Sequence, residues 1–241
     1  MHMKISVVGV AAGLALSTFS LASGAAEVTL TGWAFGSGNT VQVSRASEVN
    51  ADYNGRAGGF RGSLVGAGAL SSSAFLTYCI ELEESFSFSS TAMTGYAVVD
   101  ATTYFQGRRV LSPNRPDGVS VAQRLGQLIT WANADPTRVD SAAESTAFQL
   151  AVWNLVYDTD ESLTSLGSLS DGSSHGVLAT QMLAQASLLS NRYDVFALTR
   201  AGKQDFVAAS LRVPEPGTLA LVGLACVSLL LAGRRWRSAR A

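Results

Sequence analysis

Apolar and polar positions follow two different rhythms along this chain. In the first half, short β-prone runs are separated by glycines at Gly32, Gly36, Gly38, Gly55, Gly58, Gly59, Gly62, Gly66 and Gly68. The runs Val28 to Leu30, Thr40 to Ser44, Ala74 to Ile80 and Tyr96 to Asp100 predict strands. Around the third of these, Leu76, Tyr78, Ile80 and Leu82 alternate with Phe75, Thr77, Cys79 and Glu81. Alternating residues point to opposite faces of a strand, so the first set reads as the apolar face and Cys79 falls on the other side.

The second half changes to helical spacing. Val121, Leu125, Leu128, Ile129 and Ala132 predict a helix over 120–134, stopped before Asp135-Pro136. Ser141 followed by Glu144 has the form of a capping box, in which hydroxyl and carboxylate satisfy free amides where a helix starts. That helix runs to about Tyr157, with Phe148, Ala151, Val152 and Leu155 as its apolar stripe and Gln149 beside it. A third helix is predicted over 177–191 and a last strand over 193–198. Strands first, helices next and a closing strand give an α+β fold: a glycine-rich, β-sandwich-like half with a helical half beside it, in one ectodomain.

Composition divides the 241 residues further. Only 15% are charged, against roughly 25% in ordinary soluble domains, and mean hydropathy is +0.22. The shortfall comes from nearly uncharged apolar blocks at the two ends. Lys4, the apolar run Ile5 to Leu16 and the small residues Ser23 to Ala26 read as a secretory signal over 1–26. A 27–212 ectodomain is long enough for one domain with a sizeable core. Setting aside Lys4 and the four arginines of the tail leaves 12 of the 17 basic residues against all 18 acids, a net charge of −6 between the apolar ends. This mildly acidic balance excludes nucleic-acid binding by bulk basic charge, and the apolar content excludes a disordered chain.

The last block, 213–241, carries a tripartite pattern. Pro214-Glu215-Pro216 is followed by the apolar run Thr218 to Gly233 and then by Arg234, Arg235 and Arg237. Two prolines hold the motif extended, the run has the character of a short membrane segment, and the arginines belong on the cytoplasmic side. The arrangement closely resembles the PEP-CTERM sorting signal of Gram-negative bacteria. That resemblance implies processing by exosortase, transient residence in the inner membrane through the C-terminal transmembrane helix, and delivery to the cell surface or the extracellular exopolysaccharide matrix, as in biofilms.

Conventional catalytic sets are thin, and no cofactor motif is present. After the signal, His175 is the one histidine, in a Ser-Gly loop, and it reads as solvated. Asp158, Asp160 and Glu161 lack EF-hand spacing and read as a solvated acidic helix end, so no metal site is expected. Cysteine says more: Cys226 lies in the sorting helix, which leaves Cys79 as the single cysteine of an exported domain.

Tyr78-Cys79-Ile80-Glu81, with Phe148-Gln149-Leu150-Ala151-Val152-Trp153 downstream on a helix, resembles the internal thioester domains of bacterial surface adhesins. Phe148 stands where those domains usually have threonine, and Glu81 where aspartate is common. The resemblance implies a bond between the Cys79 sulfur and the Gln149 acyl carbon, sheltered by Tyr78, Phe148 and Trp153. It implies covalent, single-turnover attachment to amines, or to hydroxyls of polysaccharide, and no enzymatic turnover. The alternative is a passive structural matrix protein in which Cys79 is an unreactive small hydrophobe.

The tail reading has a direct test. Deleting Pro214 to Pro216 is expected to hold the protein in the inner membrane, as read by cell fractionation. Release at the wild-type level would show that the motif is not used.

Overall fold

The computed structural model describes residues 25–45, 52–106, 120–158, 160–164 and 169–212. The tail motif Pro214, Glu215 and Pro216, the cluster Arg234, Arg235 and Arg237, and most of the signal segment lie outside the described residues. Among the described residues, no helix is long and apolar enough to cross a membrane.

The fold is α+β. In chain order it comprises β1 (Ala26–Trp33), β2 (Asn39–Arg45), β3 (Tyr53–Ala57), β4 (Phe60–Val65), β5 (Ser72–Thr77), β6 (Met93–Asp100), α1 (Ala101–Gln106), α2 (Val121–Asn133), α3 (Ala142–Tyr157), β7 (Leu169–Ser170), α4 (Ser174–Ala186), β8 (Tyr193–Arg200) and β9 (Lys203–Leu211). Six strands form one antiparallel sheet in the order β5-β4-β1-β6-β8-β9, and a small sheet has the order β3-β2-β7. The larger sheet is curled and nearly closed; it takes β8 and β9 from the second half of the chain, while β2 and β3 of the glycine-rich half belong to the small sheet.

The segment that follows β5 closes the curl. The Thr77 hydroxyl donates to Val207 O at 2.7 Å, Val207 N–H donates to Tyr78 O at 3.0 Å, and Ile80 N–H donates to Asp205 O at 2.9 Å. Cys79 sits opposite Phe206 in this antiparallel bridge. Residues 77–80 are therefore held between the sheet and the helices, and all four are buried. This corrects the alternating pattern expected there. Leu76, assigned to the apolar face, is 47% exposed, while its neighbours Phe75 and Thr77 are buried. Alternation describes a strand covered on one face, and this one is covered on both where it closes the sheet.

Gly62 lets β1 and β4 approach closely. A Cβ on Gly62 would lie 1.7 Å from the Thr29 carbonyl oxygen, next to an irregularity in the β1–β4 register.

The helices begin where local chemistry places them. Ser120 caps α2 by accepting from Gln123 N–H, and the Ser141–Glu144 capping box is present in both halves. α3 does not have the single stripe expected of it. Thirteen of its sixteen residues are buried, because it packs against α2, α4 and the small sheet. α4 begins three residues earlier than predicted, capped by Ser173, so His175 lies half-buried in its first turn rather than in a loop. Asp158 is buried and Glu161 is ion-paired with Arg124, which replaces the expected solvated acidic end. The final strand has a partner, β9, that lacks alternation because its central residues are buried on both faces.

Gly62→Ala is expected to destabilise the domain by about 3 kcal/mol or more, since neither backbone can yield cheaply to the added methyl. Urea unfolding reads this as a lowered midpoint; an unchanged midpoint would contradict the close β1–β4 approach.

Candidate functional site

Three sets of contacts lace α3 to the sheets. At its start, Gly59 N–H donates to the Ser145 hydroxyl at 2.8 Å, and the Thr146 hydroxyl donates to Ala57 O at 2.8 Å while accepting from Asn39 N–H. Gly59 must lack a side chain here, because a Cβ would meet the Tyr78 ring at 2.8 Å. At its end, the Tyr157 hydroxyl accepts from Leu82 N–H at 3.1 Å and donates to Glu83 Oε2 at 2.7 Å. Gln149 lies between these anchors.

Strand geometry determines what Gln149 meets. Tyr78 O and Ile80 N–H are directed to β9, so the N–H and C=O of Cys79 face the opposite edge. Gln149 satisfies both: Cys79 N–H donates to Gln149 Oε1 at 2.9 Å, and Gln149 Nε2 donates to Cys79 O at 2.8 Å. The carboxamide occupies the place a neighbouring strand would take. Gln149 is 1% exposed and Cys79 is 7% exposed, and burial pushes the Cys79 thiol well above its ordinary pKa. Burial thus disfavours the free thiolate.

Cys79 and Gln149 open onto a cleft of about 510 Å³. Trp33, Phe60, Phe86, Phe88 and Trp153 supply its aromatic walls, and Tyr53 packs edge-on to Trp153 with ring centroids 5.1 Å apart. The connection between β5 and β6 forms much of the rim and folds back over β1, where Ser89 N–H donates to Leu30 O at 3.1 Å.

Of the residues expected to shelter the site, Trp153 lines this cleft. Tyr78 and Phe148 lie elsewhere: their rings pack against each other at 4.5 Å and line a separate cavity of about 570 Å³. The Tyr78 hydroxyl is 3.5 Å from the Ser145 hydroxyl, and burial raises its pKa. Phe148 and Gln149 are consecutive on a helix buried almost all round, so they serve different cavities.

Acidic residues that the sequence did not group together join the cleft. Glu81 and Glu84 line it, and the carboxylate oxygens of Glu81, Glu84 and Asp205 lie within 4.8 Å of one another. The Tyr104 hydroxyl lies 2.8 Å from Asp205 Oδ2 and 3.3 Å from Glu81 Oε1. Asp205 lies on the unpredicted strand β9 and Glu84 in a connection with no periodicity. The sole sequence signal was Glu81 in the Tyr-Cys-Ile-Glu tetrapeptide.

No protein-family model, curated protein or solved structure matches this chain.

Replacing the Gln149 carboxamide with an apolar group of similar size tests how far the strand depends on it. Gln149→Leu leaves the Cys79 N–H and C=O buried without Gln149, at about 1–3 kcal/mol for each group. Chemical denaturation is expected to show a total loss of about 2–6 kcal/mol, exceeding the loss in Cys79→Ala. Equal losses would mean that the carboxamide contributes little to holding the strand.

Proposed function

We propose that this is an exported cell-surface or matrix protein in which Cys79 and Gln149 form an internal thioester for covalent attachment to a nucleophile. One observation carries the reading. The two residues are 70 positions apart in sequence, yet both polar atoms of the Gln149 carboxamide rest on Cys79 beside an aromatic cleft.

The residue types suit the chemistry. In bond formation the sulfur attacks the Gln149 acyl carbon, the C–N bond breaks, and the thiol proton departs on nitrogen as ammonia. Cys79 N–H already donates to the acyl oxygen, the atom on which negative charge grows in the tetrahedral intermediate. Burial keeps water from the bond once it is made. An incoming amine or hydroxyl then forms a bond to the acyl carbon, and the sulfur leaves to become a thiol again. Each molecule reacts once, so this is adhesion chemistry rather than turnover. The resemblance of 213–241 to a sorting signal supports export of such a domain, for which surface amines and polysaccharide hydroxyls would be the targets.

A second reading rests on the same contacts. Gln149 already satisfies both backbone groups of Cys79, which is a complete structural role for a carboxamide. In that case the chain is a passive matrix component and Cys79 is packing.

Intact mass separates the two. The thioester predicts a purified ectodomain lighter than its sequence by one ammonia and heavier by one methylamine after exposure to that reagent, with both effects lost in Cys79→Ala. An unmodified mass, together with one thiol titratable after denaturation, would establish the passive reading.

A further inference from the structure

Gln149 lines the cleft with only 1% of its surface exposed, so its acyl carbon is closed to an incoming molecule until part of the wall moves. We propose that residues 84–88 are a gate: this strap swings away from the cleft between fixed points at Leu82 and Ser89, and its opening controls access to Cys79 and Gln149. The gate belongs to the cleft whether Cys79 carries a thioester or a free thiol.

The other walls are held by hydrogen bonds. Gln149 and Trp153 stand on α3, which is buried almost all round. Trp33 and Phe60 are the last pair of the β1–β4 ladder, and just beyond them Ala34 N–H donates to Gly59 O at 2.8 Å. Ala57 and Gly59 are tied in turn to Thr146 and Ser145 on α3. Tyr53 lies on β3, which is paired along its whole length with β2. Moving any of these walls breaks several bonds together.

The strap is held differently. Its two ends are fixed, by Leu82 N–H donating to the Tyr157 hydroxyl at 3.1 Å and by Ser89 N–H donating to Leu30 O at 3.1 Å. Between them, among the described residues, no hydrogen bond reaches the backbone of Glu84, Ser85, Phe86, Ser87 or Phe88. Ser85 and Ser87 are exposed, while the aromatic rings turn inward. Phe86 lies 4.7 Å from Phe60 and 5.2 Å from Phe206, and Phe88 lies 5.6 Å from Trp33, centroid to centroid. These ring contacts are what keep the strap against the cleft.

Opening therefore costs the burial of two rings and no backbone hydrogen bond. Segments with few buried apolar contacts and no hydrogen bonds to the rest of the protein open locally, well below the free energy of global unfolding. Both rings are only partly covered even when the strap is in place: Phe86 is half-buried and Phe88 is 40% exposed. The residues beneath, 77–80, stay bonded to β9 and to Gln149 as the strap leaves.

The test follows chemical modification of the native protein by intact mass. The mass before any reagent is added tells which reading of Cys79 holds, independently of the gate. A thioester is then read with methylamine. A free thiol is read with iodoacetamide, because opening brings the sulfur toward water and relieves the burial that raises its pKa. Phe86→Ala is expected to speed modification about thirtyfold, the shift in a local equilibrium on losing a partly buried aromatic ring. Phe88→Ala, with less burial to lose, is expected to speed it less. Leu183→Ala, in the core on α4, weakens the whole domain without touching the strap, and is expected to leave the rate unchanged. Equal acceleration in Leu183→Ala and Phe86→Ala would mean that the site is reached only by unfolding of the domain, and would overturn the gate. An unchanged rate in Phe86→Ala would overturn it too, since the strap would then not be the barrier.

Discussion

A strand segment that closes a sheet has two edges to satisfy, and in this molecule a helix side chain satisfies one of them. Residues 78–80 bond to β9 on one side, while the other side of Cys79 is paired with the Gln149 carboxamide. Buried backbone groups left unpaired are expensive, so this contact fixes the depth and rotation of α3. The anchors at Ser145, Thr146 and Tyr157 then follow from one rigid helix laid across the sheet edge. α3 has almost no exposed face, because it packs against α2, α4 and the small sheet and meets the closing segment through Gln149.

The same arrangement explains why strength and chemistry are difficult to separate at this site. A carboxamide that completes a strand must sit close to the strand backbone, and a thioester requires the same closeness. Burial that protects such a bond also raises the thiol pKa, so the environment favours the closed bond over a free thiolate. Tyr78 and Phe148 contribute by packing behind the strand, and the cleft side is left to Trp153 and the residues around it.

Local features were legible from the sequence. The capping box at Ser141 and the extents of α2 and α3 depend on interactions within a few residues, and they appear where spacing and capping chemistry put them. Features that depend on long-range burial were not. The core of β9 is covered on both faces and therefore shows no alternation, and Leu76 alternates correctly yet faces outward where the sheet begins to close. The pairing of Cys79 with Gln149 was readable because both residues lie in recognisable local motifs. Glu84 and Asp205 come from an aperiodic connection and an unpredicted strand, so no pattern linked them to that pair.

The position of β9 has a mechanical consequence. A load that enters the domain from residues beyond Arg212 arrives first on this strand, whose near end at Leu211 pairs with Tyr193 and whose middle meets residues 78–80. Peeling β9 from that end therefore brings the tension to the Cys79 segment before the strand is fully detached. A covalent link between Cys79 and α3 would act there as a rivet, transferring the tension into the most deeply packed helix of the domain.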